Sequence, residues 1–98
     1  MSITIFKYIL KETADYRGHE EHIKINIPCL AEILKVDECE GKLVVWALVD
    51  ISLSLEARHF VIYRDEQAML ADHGHYCGTV QMNGGKVVFH VFDKNNIS

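Results

Sequence analysis

Apolar residues recur at every second position along most of this chain, and that spacing restricts the fold more than any other feature of the sequence. Side chains on a β-strand alternate between the two faces of its sheet, so a period of two predicts strand, whereas a helix face repeats at three and four. In residues 22–28, HIKINIP, Ile23, Ile25 and Ile27 share one face and His22, Lys24 and Asn26 the other. That is a half-buried strand, ended or placed at a sheet edge by Pro28, which has no N–H for a ladder. In residues 3–10, ITIFKYIL, Ile3, Ile5 and Ile9 alternate with Phe6, Tyr8 and Leu10. Both faces are apolar, as expected of a strand in a two-layer core.

The rest of the chain follows the same rule. The polar run at 11–21 predicts a loop. Residues 31–50 predict a hairpin turning within DECEGK, with an amphipathic helix at 29–36 as the rival assignment. Residues 51–57 are expected to connect, and RHFVIYRD at 58–65 to form a strand with Arg58, Phe60, Ile62 and Arg64 on one face. EQAMLAD at 66–72 is rich in helix formers and could make one or two turns. The chain then closes through HYCGTVQM, NGG and KVVFHVFD, a hairpin signal, because Asn and Gly tolerate positive φ. We expect one mainly β domain over 1–98, of about seven strands in a small antiparallel sandwich or barrel-like sheet, with at most one short helix near 66–72.

Composition narrows the function. With 49% hydrophobic and 24% charged residues the 98-residue chain should fold as a globular unit. A domain of this size buries only about 60–70% of its unfolded surface, so covering by a second copy is expected to help it. The formal charge of −4, from 10 Lys and Arg against 14 Asp and Glu, disfavours broad nucleic-acid binding. There is no secretory leader pattern and no apolar run long enough to span a bilayer, which predicts a cytosolic, membrane-free protein. Three cysteines without a C-x-x-C pair, Cys29, Cys39 and Cys77, are expected as reduced thiols.

Several residues invite a chemical role. His90 stands mid-strand among Val and Phe, where an imidazole must be hydrogen-bonded or face a ligand. His73, His75 and Cys77 have the alternation of an H-x-H metal pair, but no fourth ligand follows, and we expect no metal. Cys77 has no nucleophile-elbow context and no helix N-terminus to activate it. The glycine patterns are turns, without a phosphate-cradling loop. Arg58 and Arg64 are the sharper signal: guanidinium groups sharing a face could meet phosphate, with Trp46, Tyr63 or His90 meeting a ring. Those five are the expected ligand-binding residues; no catalytic residue and no cofactor is expected.

Taken in order, IFKY, WALVD, GTVQMNGG and VVFHVF resemble the motifs of an uncharacterised family of short phage and prophage proteins, over most of the span from Ile5 to Phe92. The resemblance implies no catalytic residues; Trp46 and His90 fall at its matched positions. It implies a phage protein in the host bacterial cytosol that acts stoichiometrically against antiviral defence. The leading expectation is a homo-oligomeric binding protein that sequesters a small nucleotide-type immune signal. One alternative is a protein–protein inhibitor of a defence effector, presenting Asp15, Glu20, Glu21, Asp37, Glu38 and Glu40 to a basic target. A small structural or assembly protein is another.

Overall fold

A computed structural model describes residues 2–12, 20–66, 68–82 and 84–94. They form seven antiparallel strands and no helix: β1 (Ile3–Glu12), β2 (Glu21–Pro28), β3 (Glu32–Cys39), β4 (Lys42–Asp50), β5 (Leu55–Arg64), β6 (His75–Met82) and β7 (Val87–Asp93). Two sheets result, of order β1-β4-β3 and β2-β5-β7-β6. The fold is the expected β-sandwich, and the sheets do not close into a barrel.

Alternation places the core. On β4, Leu43, Val45, Ala47 and Val49 turn inward, each at most 1% exposed. On β5 and β7, Phe60, Ile62, Phe89 and Val91 meet them, with Leu10, Val36, Val80 and Met82 completing the main cluster. Ile27, Ala31, Ala47 and Val49 form a smaller cluster. At one side of the sandwich β3 and β6 pack closely. A Cβ built on Gly78 would stand 3.4 Å from Val36 Cβ, in van der Waals contact across the two sheets.

Both hairpins are present. β3 and β4 are joined by Glu40 and Gly41, with φ of 53° and 79°, the left-handed pair of a tight two-residue turn. Glu38 Oε2 accepts the Gly41 N–H at 2.7 Å. β6 and β7 turn through Gly84 and Gly85, and Gly85 N–H donates to Met82 O at 3.1 Å. Pro28 ends β2, an edge strand.

Three local expectations need correction. No helix forms at 66–72 among the described residues: Glu66 takes φ 62°, in the left-handed region, which stops a right-handed helix where it would begin. The rival helix at 29–36 is also absent, since Glu32–Cys39 is strand. Residues 55–57, expected to connect, open β5 instead. Their own side chains are exposed; the pairing Leu55 to Pro28 and Glu56 to Ile27 extends the strand. Most of the loop expected at 11–21 lies outside the described residues.

Candidate functional site

His90 sits on β7 between β5 and β6, on the outer face of the four-stranded sheet, directly opposite Tyr63 on one side and Thr79 on the other. Its ring is held from both nitrogens: Thr79 Oγ1 is 3.0 Å from Nδ1 and Asp65 Oδ1 is 2.8 Å from Nε2. Tyr76 Oη in turn bonds Thr79 Oγ1. The histidine has found one partner on β6 and one in the segment that follows β5.

The same face carries an aromatic cluster. Phe92 meets the rings of His73, Tyr76 and Tyr63 at centroid distances of 4.8, 5.4 and 5.8 Å. The segment after β5 passes over it, bringing Asp65 to His90 and His73 to Phe92. Tyr63 is consequently 1% exposed, and burial first, opposed by a backbone hydrogen bond with Leu70 and helped by the Glu20 and Asp72 carboxylates, pushes its hydroxyl above the usual phenol range. A ring so covered offers no stacking surface.

On the opposite face of β5 lies Arg58, six residues from Arg64 and pointing into the sandwich. Arg58 Nε donates to Asp93 Oδ2 at 2.9 Å, Nη2 stands 2.7 Å from the same oxygen, and Nη1 donates to Ala31 O at 3.0 Å. The side chains are 7% and 1% exposed. This buried pair lies on a cleft of about 330 Å³ between the starts of β3 and β6, lined also by Ala31, Ile33, Tyr76 and Cys77. Glu32 and His75, both exposed, border it. A guanidinium has five N–H donors, so contacts from Nε, Nη1 and Nη2 leave one N–H on each terminal nitrogen. The cleft floor thus carries a paired guanidinium and carboxylate side by side.

Cys77 shows what this environment does to a nucleophile. Its thiol is pushed up to about 12, by desolvation first and then by the Asp93 carboxylate, with Arg58 opposing. A thiol that is not ionised near neutral pH neither attacks nor ligates readily.

The five residues expected to share a ligand site are distributed over three surfaces. Tyr63 and His90 are cross-strand neighbours on the outer face of the four-stranded sheet. Arg58 and Arg64 are on that sheet's inner side, near opposite ends of β5. Trp46, half-buried, is on the outer face of the other sheet between Lys7 and Lys35. Of the five, only Arg58 lines the cleft. His73, His75 and Cys77 do not converge either: His73 packs on Phe92, whereas His75 and Cys77 border the cleft. Among the described residues no group of three or more His, Cys, Asp or Glu could hold a metal ion.

Sequence reasoning missed Asp93 and Tyr76. Asp93 was legible by parity: in VFHVFD it shares a face with Phe89 and Val91, and that face meets the one carrying Arg58, Phe60 and Ile62. Tyr76 gave no signal, because a register shift between Tyr76 and Gly78 moves it out of alternation.

A family model described as "Domain of unknown function (DUF7352)" matches residues 1–97. No curated protein and no solved structure matches the chain.

Proposed function

We propose, from the premise that the chain belongs to this family of unknown function (DUF7352), that it is a non-catalytic binding protein holding a small nucleotide-type molecule in the cleft between β3 and β6. The observation that carries this reading is the Arg58–Asp93 pair on the floor of a cleft of about 330 Å³, beside Tyr76. That volume lies in the range of small-molecule sites, roughly 300–1,000 Å³. The floor is neutral overall, since Asp93 balances Arg58. It suits the polar edge of an uncharged heterocycle facing the Arg58 guanidinium. Phosphate belongs at the mouth, where Glu32 repels it. Nucleosides and cyclic monophosphates therefore bind better than triphosphates.

Holding is favoured over turnover because the reactive groups are committed elsewhere. Cys77 is a suppressed thiol, and the Asp65–His90–Thr79 network lies on the face away from the cleft. The resemblance to phage proteins supplies the context: the captured molecule is a signal of bacterial antiviral defence, and binding lowers its free concentration. The protein-inhibitor reading has less support. Of the acidic residues it needs, Glu21 pairs with Lys11 at 2.7 Å, Asp37 with Lys35 at 3.1 Å, and Glu38 holds the β3–β4 turn. Asp15 lies outside the described residues.

A thermal-shift panel of nucleosides, cyclic nucleotides and ADP-ribose tests the proposal, because a ligand at one hundred times its Kd stabilises the folded state by about 2.7 kcal/mol. We expect a concentration-dependent rise that is lost in Cys77→Phe, which fills the cleft, and kept in Trp46→Ala. A flat response across the panel, or equal loss in both variants, would remove the cleft as the site.

A further inference from the structure

The sandwich has four strand edges, and three are guarded. β2 alternates Ile with His22, Lys24 and Asn26 and ends in Pro28. β3 carries a register shift between Ile33 and Lys35, and β6 one between Tyr76 and Gly78; these two also pack together where Gly78 meets Val36. Charge, proline, bulges and covering are the usual protections against strand pairing. Over its first part β1 has neither proline nor bulge, and Lys7 is its one charged side chain. Among the described residues it hydrogen-bonds only β4, and its register stays regular from Ile3 to Ile9 before shifting at Lys11. Ile3, Ile5 and Ile9 are 53%, 56% and 51% exposed on its outer face, and Phe6 is 44% exposed on the inner one.

We propose that residues 3–9 of β1 pair antiparallel with the same residues of a second copy, with Phe6 on the two-fold axis. The three-stranded sheets then join into one six-stranded sheet. Directly opposed residues in an antiparallel pair share a face, and this register sets Ile3 against Ile9, Thr4 against Tyr8, Ile5 against Lys7 and Phe6 against itself. Every isoleucine gains a neighbour. Lys7, the one charged residue of the segment, faces Ile5 and never another Lys7. Centring the axis on Lys7 would instead oppose two ammonium groups. The edge is also free of the acidic side chains that give the chain its charge of −4, so the copies meet without like-charge repulsion there. An isologous pairing of this kind closes on itself and leaves the cleft, at the far side of the sandwich, open in both copies.

Light scattering on the full chain, with Ile5→Lys and Ile5→Glu alongside, tests both the surface and the register. The unmodified chain at tens of micromolar should show a mass about twice 11.2 kDa. Ile5→Lys places an ammonium opposite Lys7 of the second copy, twice by symmetry, and should weaken pairing by about tenfold or more. Ile5→Glu places a carboxylate there and should keep the dimer, and Lys7→Glu added to Ile5→Lys should restore it. Circular dichroism establishes that each variant is folded. A monomeric parent, a parent that pairs only with a foreign extended peptide, or folded Ile5→Lys and Ile5→Glu variants of equal mass would each overturn the proposal.

Discussion

His90 and Arg58 both stand in apolar strands, and each is matched by a residue on a neighbouring strand. Local pattern shows the need for a partner; only pairing between distant strands names it. For Arg58 the partner matters energetically, because removing one member of a buried ion pair leaves an uncompensated charge. Asp93→Ala should cost roughly 3–5 kcal/mol, whereas Arg58→Met with Asp93→Leu should recover most of that loss; urea unfolding measures both. A loss below about 1 kcal/mol for Asp93→Ala would mean that the pair is solvated. His59 makes a pH-dependent contribution. Its Nε2 lies 2.9 Å from His22 Nδ1, and its pKa is lowered, by burial first and then by the charge of His22, with Lys94 and Lys24 adding to this and Asp93 opposing. The fold thus favours the neutral ring. Its contribution is intact above the unfolded histidine value of about 6.5 and is lost as pH falls through the lower folded value. Melting temperatures of the parent and His59→Gln between pH 8 and 5 should converge on acidification. Leu30 is simpler: it is 86% exposed with φ 65°, so Leu30→Gly relieves backbone strain without losing burial. A gain of about 1 kcal/mol in the same unfolding assay is expected.

Among the elements, hairpins were legible and helix boundaries were not. Glu40–Gly41 and the glycines after Asn83 carry the positive-φ chemistry that a tight turn requires, and both turns stand where their residues put them. At 66–72 helix-forming composition pointed the wrong way, because six or seven residues cannot support a helix without packing and the segment is used to cover the outer face of β5 and β7. Gly74 ends that segment. Its φ is 92°, and a Cβ there would lie 2.5 Å from Asp93 O, against main chain that cannot yield. Gly74→Ala should therefore destabilise by more than about 2 kcal/mol and loosen the Arg58–Asp93 floor with it. Gly78→Ala meets only Val36 at 3.4 Å and should change stability by less than about 1 kcal/mol. Thermal unfolding of the two variants gives the comparison; equal effects would show that the main chain at Gly74 and Asp93 yields to a Cβ despite the 2.5 Å approach.

For the whole molecule, strand order was the part no local pattern could supply. β3 pairs with β4, and β6 with β7, through short turns that the sequence advertises. β1 reaches β4 and β2 reaches β5 across intervening strands, with hydrophobic alternation that would fit several neighbours equally well. The resulting order decides which backbone is protected. β4, β5 and β7 have a hydrogen-bonded strand on each side, and β1 and β2 have one apiece. Hydrogen exchange should accordingly be slowest in β4, β5 and β7, whose side chains also form the core. β1 and β2, two of the four single-sided strands, then separate the cases. If both edges face water in solution, amides of residues 3–9 and of β2 exchange at rates independent of protein concentration. If β1 is covered by a second copy, its outward amides slow as concentration rises through the dimer midpoint, whereas those of β2 do not. Exchange followed by mass spectrometry at two concentrations a hundredfold apart reads this difference, with β2 as the internal control. Concentration-independent exchange in β1, in a sample whose mass is that of a dimer, would place the contact elsewhere on the molecule.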